Sequence, residues 1–426
     1  MGAHCRTEPS LRPFLMFASA HGRHGGESYS RRLVFAAACL DILSFGITAT
    51  ALGSLLPSLI ARFGLDNAAA GSLFPILNLA VLGGSLVFGP VVDRYGYRIL
   101  LAVCVALVIL GLGGIASARS LALLAPALAC VGFGGGAVNG ATSALVADIS
   151  DEGATALGLS ILGVFFGIGA FGMPLLLGLL LRRFSYGAVT AAIGMTLLLP
   201  LLFGLAIRYP PPKQAQGFPI RRGLALLRDP ALVLLGLCLF FESGMEATTG
   251  GWTATYVQGD LGVRPDRALF FVSAFWAGML LGRIVFGTLG RRLSAATALY
   301  ATFGVAFCAA LGMLGGRTPL LVGAASALLG LGFAAVFPLV LAFGGTRYPA
   351  LSGSVFGMLF AMGMVGGISF PWLMGILGDV VGLRASFLLV PISLVGEALV
   401  FTAARRALAR RPADPASEPG SHVAAL

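Results

Sequence analysis

The sequence has very little charge for its length. Only 11% of its 426 residues are Asp, Glu, Lys or Arg, whereas 58% are hydrophobic and the mean hydropathy is +0.94. Soluble globular domains carry about 25% charged residues, and their interiors cannot accommodate so many apolar side chains. The composition therefore excludes a soluble domain and indicates a helical membrane protein.

Histidine and cysteine are scarce where a reactive site would need them. All four histidines lie in the terminal tails, so the body of the chain lacks the commonest general base and metal ligand. Five of the six cysteines stand singly in apolar stretches, without the spacing of a disulfide framework or a CxxC metal site. The sequence also lacks a nucleotide-binding P-loop. These absences argue against an enzyme, and we expect neither a metal nor another cofactor.

Twelve apolar runs are each long enough, at about 20 residues, to cross the hydrocarbon layer of a membrane. They predict membrane-spanning helices, numbered here as spans 1 to 12, at Leu33–Ile60, Ser72–Val92, Ile99–Ala118, Leu121–Ala147, Ala154–Leu181, Tyr186–Ile207, Ala231–Val257, Ala268–Leu289, Ala295–Leu314, Pro319–Phe343, Gly353–Leu377 and Ser386–Ala403. The predicted fold class is an all-α polytopic membrane protein.

The longest polar connection divides the spans into two sets of six. We predict a polar tail at residues 1–32, a six-helix bundle at 33–207, a linker at 208–230, a second, pseudo-symmetric six-helix bundle at 231–406 and another tail at 407–426. Both tails are rich in Gly, Ser and Pro, and we expect them to be disordered.

Basic residues are distributed unequally between the two sides of the membrane. With the N-terminus in the cytoplasm, nineteen of them fall in inner loops and tails and eight in outer loops, as the positive-inside rule requires. We therefore expect a multi-pass protein of the cell membrane with both termini and the linker in the cytoplasm. This orientation also accounts for the net charge of +11, and no nucleic-acid-binding surface is indicated.

The two halves repeat each other in sequence. Glycines recur 198 positions apart in the pairs Gly46 and Gly244, Gly53 and Gly251, Gly84 and Gly282, Gly89 and Gly287, Gly132 and Gly330, and Gly134 and Gly332. After a slip of one residue, the spacing is 197 for Gly169 and Gly366, Pro174 and Pro371, and Gly178 and Gly375. A constant spacing predicts two parallel six-helix repeats, between which such transporters bind their solute.

The loop between spans 2 and 3 carries a specific motif. It reads Gly89-Pro90-Val91-Val92-Asp93-Arg94-Tyr95-Gly96-Tyr97-Arg98, and a degenerate second copy reads Gly287-Thr288-Leu289-Gly290-Arg291-Arg292. The first copy resembles the G-x-x-x-D-R-x-G-x-R loop of the major facilitator superfamily, and the resemblance covers residues 33–406. It implies alternating access, a cavity lined by spans 1, 4, 7 and 10, and three partners: a small solute, a coupling ion taken to be a proton, and the lipid bilayer. We expect a monomer.

Three stretches are similar to the fucose/glucose:proton symporter group within that superfamily. They are residues 132–139 in span 4, 244–256 in span 7 and 330–338 in span 10. The group carries acids near the Leu-Leu-Pro of span 1 and in span 4. Here Gly53-Ser54 precede Leu55-Leu56-Pro57, and span 4 offers only Asn139. The acid pair of the group therefore cannot be transferred to this chain.

Acidic residues inside the spans are the main candidates for proton coupling, because a charge in the hydrocarbon costs at least ~2.5–3.5 kcal/mol. Glu242 in span 7 and Asp41 in span 1 lie on predicted cavity-lining helices, and we predict that they carry the coupling proton. The alternative is that each is a protonated packing residue. Glu397 in span 12 and Arg283 in span 8 are interpreted as structural, the first bonded to a neighbouring helix and the second reaching toward the cytoplasm.

Flat aromatic faces and hydrogen-bonding side chains suit a sugar-like solute. The predicted substrate-binding residues are Asn139, Glu246, Trp252, Tyr256, Asn78, Trp276 and Phe337. Glu246 lies one helical turn beyond Glu242 on the same face and matches the resembled group. The aromatic residues could instead be packing residues, since tryptophan and tyrosine favour membrane boundaries in any case.

A cytoplasmic gate is predicted from charges of opposite sign at matched positions of the repeats. Its residues are Gly89, Asp93, Arg94, Gly96, Arg98, Asp148, Asp151, Arg291, Arg292 and Arg347. In the resembled fold the loops meet so that Asp93 pairs with Arg347. They also bring Asp148 or Asp151 to Arg291 or Arg292. The alternative is that the arginines only fix the topology.

These features predict a secondary transporter rather than an enzyme, specifically a proton-coupled symporter of a monosaccharide or a similar small polar solute. The alternative is a proton-driven exporter of drugs or hydrophobic metabolites. Gly169 and Gly172-Met173-Pro174 in span 5 form a partial, interrupted version of the Gly-Pro motif of exporters.

Overall fold

The computed structural model describes residues 21–24, 27–150, 155–211, 228–289, 294–347 and 352–410. Its elements are β1 (His21–His24), β2 (Glu27–Ser30), α1 (Arg31–Phe63), α2 (Asn67–Gly71), α3 (Leu73–Ser117), α4 (Leu121–Ile149), α5 (Thr155–Leu180), α6 (Tyr186–Thr196), α7 (Leu198–Ala206), α8 (Pro230–Leu261), α9 (Pro265–Leu289), α10 (Ala295–Gly315), α11 (Pro319–Phe333), α12 (Val336–Arg347), α13 (Ser352–Val381), α14 (Leu383–Ser386) and α15 (Leu389–Arg410).

Eleven helical stretches of the described chain are long and apolar enough to cross a membrane. One of them, Asn67–Ser117, has 51 residues, which at 1.5 Å per residue is roughly 77 Å and more than twice the thickness of the hydrocarbon layer. Gly96 interrupts it with φ 78° and ψ 167°, a backbone conformation that glycine adopts most easily. This stretch therefore crosses twice, and the prediction of twelve spans is confirmed.

The N-terminal tail contains more structure than predicted. Strands β1 and β2 pair antiparallel, with His21 opposite Ser30, and α1 begins directly after them at Arg31. The sequence between the strands is Gly25-Gly26, a pair that favours two-residue hairpin loops. The expectation of disorder was therefore wrong for the strand residues.

Spans 6 and 10 are interrupted, each close to a proline. Span 6 consists of α6 and α7 with Leu197 between them, and span 10 of α11 and α12 with a break at Ala334 and Ala335. Pro200 and Pro338 follow these breaks and have no N–H to donate to the carbonyl four residues earlier. Both spans are predicted from the sequence to be continuous helices, and this prediction is wrong at the two breaks.

The chain forms two compact units. Of the described residues, unit 1 comprises those within 1–51, 79–173 and 183–217, and unit 2 comprises those within 52–78, 174–182 and 218–426. Two segments of the first sequence repeat, 52–78 and 174–182, thus pack inside unit 2 with helices of the second repeat.

Glycines hold the helices of each unit in close contact. In unit 1, Gly84 faces the backbone carbonyl of Phe133 so closely that a Cβ would overlap it. In unit 2, Gly282 faces the carbonyl of Leu331 in the same way, and both members of this contact are 198 positions further along the chain. The sequence repeat therefore corresponds to a repeated helix contact, as small residues in membrane bundles allow.

Candidate functional site

Unit 2 buries a pair of acids on α8. Glu242 is 1% exposed, accepts a hydrogen bond of 3.1 Å from the Ser243 hydroxyl, and is hydrogen-bonded to the side chain of Glu246 one turn further along. Two carboxyl groups can share a hydrogen bond only when at least one of them holds a proton. This pair is therefore able to hold and release a proton.

Arg283 of α9 lies near both carboxyl groups. It interacts electrostatically with Glu246 and with Glu242, and its guanidinium also approaches the sulfur of Met279 at 3.9 Å. The sequence interpretation, in which Arg283 only reaches toward the cytoplasm, missed this contact. The contact could have been predicted from the similar depth of the two residues in the membrane. At 1.5 Å per residue, Glu246 lies about 22 Å and Arg283 about 27 Å from the ends at which α8 and α9 are connected.

A third acid of unit 2, Glu397 of α15, is completely buried. It interacts electrostatically with Glu242 and with Cys238 of α8. Neither of its carboxyl oxygens has a hydrogen-bond partner in the described part of the chain. The expected hydrogen bond to a neighbouring helix is therefore not present among the described residues.

Trp252 and Tyr256 of α8 are packed inside unit 2. The Trp252 indole donates to the carbonyl of Pro371 at 2.9 Å, and the Tyr256 hydroxyl donates to the carbonyl of Met313, also at 2.9 Å. Both side chains are fully buried. In this conformation they join α8 to neighbouring helices, and their role in solute binding stays a prediction.

The other predicted solute contacts have different surroundings. Asn78 of α3 donates to the carbonyl of Gly367 at 2.8 Å, and Trp276 packs against Gly250 and edge-on against Phe275. Phe337 is half-buried and follows the break in span 10. These three residues belong to unit 2.

Unit 1 holds Asn139 and Asp41. Asn139 of α4 is half-buried. Asp41 of α1 is 2% exposed and lines a small cavity together with Arg98 and Tyr209. Its Oδ2 atom has no hydrogen-bond partner among the described residues. Asp41 therefore faces α3 and the end of span 6.

The motif between spans 2 and 3 is held by contacts within unit 1. Arg98 donates to the carbonyl of Leu205 at the end of α7, and Tyr97 donates to the carboxylate of Asp148 at 2.7 Å. Arg94 is exposed and lies over the ring of Tyr95 at 5.3 Å. Sequence reasoning missed the Tyr97 contact, which joins the motif to the end of span 4.

The remaining gate residues are only partly described. Gly89 has open space around its Cα, and Asp93 is half-buried. Arg347, at the end of α12, is half-buried. Asp151, Arg291 and Arg292 lie outside the described residues. The predicted charge pairs therefore stay predictions.

Charged contacts join the two sequence repeats inside unit 2. Asp379 of α13 accepts hydrogen bonds from the backbone N–H groups of Asn67 and Ala68, at 3.0 Å and 2.8 Å. Asp266, at the start of α9, pairs with Arg182 at 2.8 Å. These contacts lie at the ends of the spans that the arginine count places outside. No local sequence pattern predicts these contacts, because pairing between distant segments depends on the tertiary fold.

Twelve membrane-crossing helices in two repeats, with ionisable groups buried inside them, define a membrane transporter rather than an enzyme. The family model of the Major Facilitator Superfamily matches residues 34–371, and the chain belongs to that family.

Solved structures with the same fold include two transporters. The nucleoside transporter NupG has a TM-score of 0.74 at 15% identity and covers 87% of this chain and 99% of its own. A D-xylose-proton symporter has a TM-score of 0.72 at 15% identity and covers 89% and 98%. A curated relative, Bypass of stop codon protein 6 of Saccharomyces cerevisiae, is 34% identical over 67 residues, which are 16% of this chain and only 14% of that protein.

Proposed function

We propose that the protein is a proton-coupled symporter that moves a monosaccharide or a similar small polar solute by alternating access. The observation that carries the proposal is the acid pair Glu242 and Glu246 with Arg283 beside it. With one proton on the pair, two carboxyl groups and one guanidinium have no net charge. Without that proton the cluster has a charge of minus one, which is costly inside a membrane. A site that changes its net charge with one proton gives the protein a means of linking proton binding to conformation.

The solute class is supported by hydrogen-bonding groups and by the names of the related folds. Nucleosides and xylose, which name the two similar structures, are both rich in hydroxyl groups. Glu246 and Asn139 are the polar residues that we assign to the solute, with Asn78, Trp276 and Phe337 as further contacts. We also retain Trp252 and Tyr256, which would have to leave their backbone partners to contact a solute.

An exporter of hydrophobic compounds is the second candidate. It is favoured by the hydrogen bonds of Trp252 and Tyr256 to backbone carbonyls, because these bonds leave fewer polar groups for a hydroxylated solute. Gly172 in the partial Gly-Pro motif of α5 has open space around it, whereas Gly169 packs against the carbonyl of Leu43. Only part of that motif is thus engaged in helix packing.

Transport in proteoliposomes distinguishes the two candidates. We expect an imposed inward proton gradient to drive uptake of a member of a panel of pentoses, hexoses and nucleosides, whereas a sodium gradient should not. Proton-driven extrusion of a hydrophobic dye, with no uptake of any panel member, would instead support the exporter. The matched control is Glu242→Gln, which keeps the shape of the side chain but cannot release a proton.

The proposed orientation has a separate test. A cysteine at Gly259, where a Cβ meets no other atom within 4 Å, should react with an impermeant reagent added outside. A cysteine at Gln214 in the linker should react only after the membrane is permeabilised. External labelling at Gln214 would overturn the assignment of both termini to the cytoplasm.

A further inference from the structure

The cavity beside Asp41 combines a buried acid with a second unpaired polar group. It is lined by Asp41 of α1, by Arg98 of α3, and by Tyr209, which follows α7. The Oδ2 atom of Asp41 and the hydroxyl of Tyr209 are both buried, and neither has a hydrogen-bond partner in the described chain. Buried polar atoms are almost always paired with protein or with water. Two such atoms on one cavity therefore indicate a bound molecule.

The local fold explains why Tyr209 reaches this cavity. Helix α7 ends at Ala206, and the side chain of Tyr209, three residues further along the chain, lies beside Gly204 of the same helix. Gly204 provides the space, because a Cβ at this position would lie 3.1 Å from the Tyr209 hydroxyl. Pro200, in the same short helix, also lines the cavity. Helix α7, the second part of span 6, thus forms one wall of the cavity.

The chemistry of the lining selects the molecule. A metal cation would find one carboxylate and one hydroxyl among the lining side chains, and the Arg98 guanidinium on the same cavity would repel it. An anion would meet the carboxylate of Asp41. Water fits, because the space is of water size and a buried water molecule needs two to four polar partners.

We propose that Asp41, one water molecule and Tyr209 form a proton-conducting site between α1, α3 and α7, which connects the interior of unit 1 with the end where Arg98 and Tyr209 lie. Asp41 is ten residues from the start of α1, which is about 15 Å at 1.5 Å per residue. The site itself does not depend on the proposed function, but its use in coupling does.

The proton moves along this chain without leaving a charge on Tyr209. The Asp41 carboxyl gives its proton to the water, and the water passes one of its protons to the Tyr209 oxygen. In the same concerted step the original hydroxyl proton of Tyr209 passes to a second water molecule, which enters from the end where Arg98 and Tyr209 lie, so the tyrosine is never charged. Burial raises the pKa of the Tyr209 hydroxyl, Asp41 acts in the same direction and Arg98 opposes it, so the residue stays a neutral relay. Cys104 of α3 is a further titratable group near Asp41.

Infrared spectroscopy of the full chain in lipid tests the site without any solute. We expect Asp41→Asn to remove one carboxylic-acid band, and Asp41→Glu to shift that band rather than remove it. After transfer to deuterated buffer, Tyr209→Phe should slow deuteration of the same band roughly tenfold, the effect of losing one hydrogen bond in the chain. Gly204→Ala should slow it less, because it only displaces the hydroxyl.

Tyr300→Phe is the matched control, since the Tyr300 hydroxyl bonds to Thr402 at 2.7 Å in unit 2. Deuteration of the Asp41 band at the normal rate in Tyr209→Phe would overturn the proposal, as would equal slowing in Tyr300→Phe or an unchanged spectrum in both Asp41 variants. If no panel solute is transported but these effects appear, the symporter proposal fails and the site stands. If a panel solute is transported but the infrared effects are absent, the site beside Asp41 is ruled out and the symporter proposal stands.

Discussion

Units 1 and 2 each bury an acid on a predicted cavity-lining helix, but they stabilise it in different ways. Asp41 in unit 1 lines a water-sized cavity, and its Oδ2 atom has no hydrogen-bond partner among the described residues. Glu242 in unit 2 is bonded to Ser243 and Glu246 and lies within electrostatic reach of Arg283. In our proposal the first acid is bonded to a water molecule, whereas the second is bonded to other side chains. We therefore expect a proton on Asp41 to exchange through the proposed site, while a proton on Glu242 changes the net charge of the cluster that it forms with Glu246 and Arg283.

The largest effect is expected when the two acids are neutralised separately, which tests directly whether they have different roles. Glu242→Gln should abolish gradient-driven accumulation and leave counterflow exchange measurable, because the cluster can no longer change its charge. Asp41→Asn should slow accumulation without abolishing it. Both are measured as proton-driven uptake in proteoliposomes. If the two results are exchanged, Asp41 is the coupling acid and the cluster is structural.

Removing the cation of the cluster should have the next largest effect. Arg283→Leu leaves two acids without a compensating charge and should lower the free energy of unfolding by about 3 kcal/mol, as for other broken buried pairs. Adding Glu246→Gln to this variant should recover most of the lost free energy of unfolding, because it removes one of the two acids. Thermal unfolding in detergent measures both.

Arg264→Leu is the control for this cycle. Arg264 also contacts an acid of unit 2, Asp266 at 3.1 Å, but its side chain is 68% exposed, so its removal should cost less than about 1 kcal/mol. A double variant whose loss equals the sum of the two single losses would show that Arg283 and Glu246 do not interact.

A smaller effect sharpens the contrast between acids paired with backbone groups and acids paired with side chains. Asp379→Asn should weaken the cap on α2 by about 1 kcal/mol, because the amide offers one acceptor oxygen where the carboxylate offers two. Hydrogen exchange at the amides of Asn67 and Ala68 should become roughly fivefold faster. Asp266→Asn should not change it, because Asp266 pairs with arginine side chains. No change in Asp379→Asn would show that the cap does not control this segment.

The smallest effects are expected at the predicted cytoplasmic gate. Asp93→Arg and Arg347→Asp should each favour the inward-open state in a cysteine-accessibility assay, and the double reversal should restore the balance. An exposed ion pair contributes only ~0.2–1 kcal/mol. Arg406→Asp, which reverses an exposed charge at the end of α15, is the control. A double reversal no better than the worse single change would leave the arginines with a topological role.

The spans were readable from the sequence because their signal is local. Length and hydropathy place a helix in a membrane whatever its neighbours are, and the glycine spacing predicted the two repeats. The breaks at Leu197 and Ala334 were missed, although Pro200 and Pro338 lie close to them. Proline is tolerated in many membrane helices, so its presence alone does not predict an interruption.

The candidate sites were only partly readable, because periodicity does not reveal which neighbour a helix face meets. Glu242 and Asp41 could be selected as buried acids, but the cavity beside Asp41 depends on the side chain of Tyr209, which lines it from beyond the end of α7. Arg283 required a comparison of depth between two antiparallel spans. Trp252 and Tyr256 are residue types that often contact sugars, yet their polar atoms donate hydrogen bonds to backbone carbonyls.

The matched glycine contacts bear on how the two halves have diverged. Gly84 facing Phe133 and Gly282 facing Leu331 keep the same backbone approach, while the facing side chain is aromatic in one half and aliphatic in the other. At the matched positions 93 and 291 the charge has even changed sign. This pattern is expected if the two halves arose by duplication and if the distance between the helices was conserved while their side chains were free to change. Each glycine then has an equivalent glycine in the other half. The same substitution made at both positions tests the same close helix contact in two independent places.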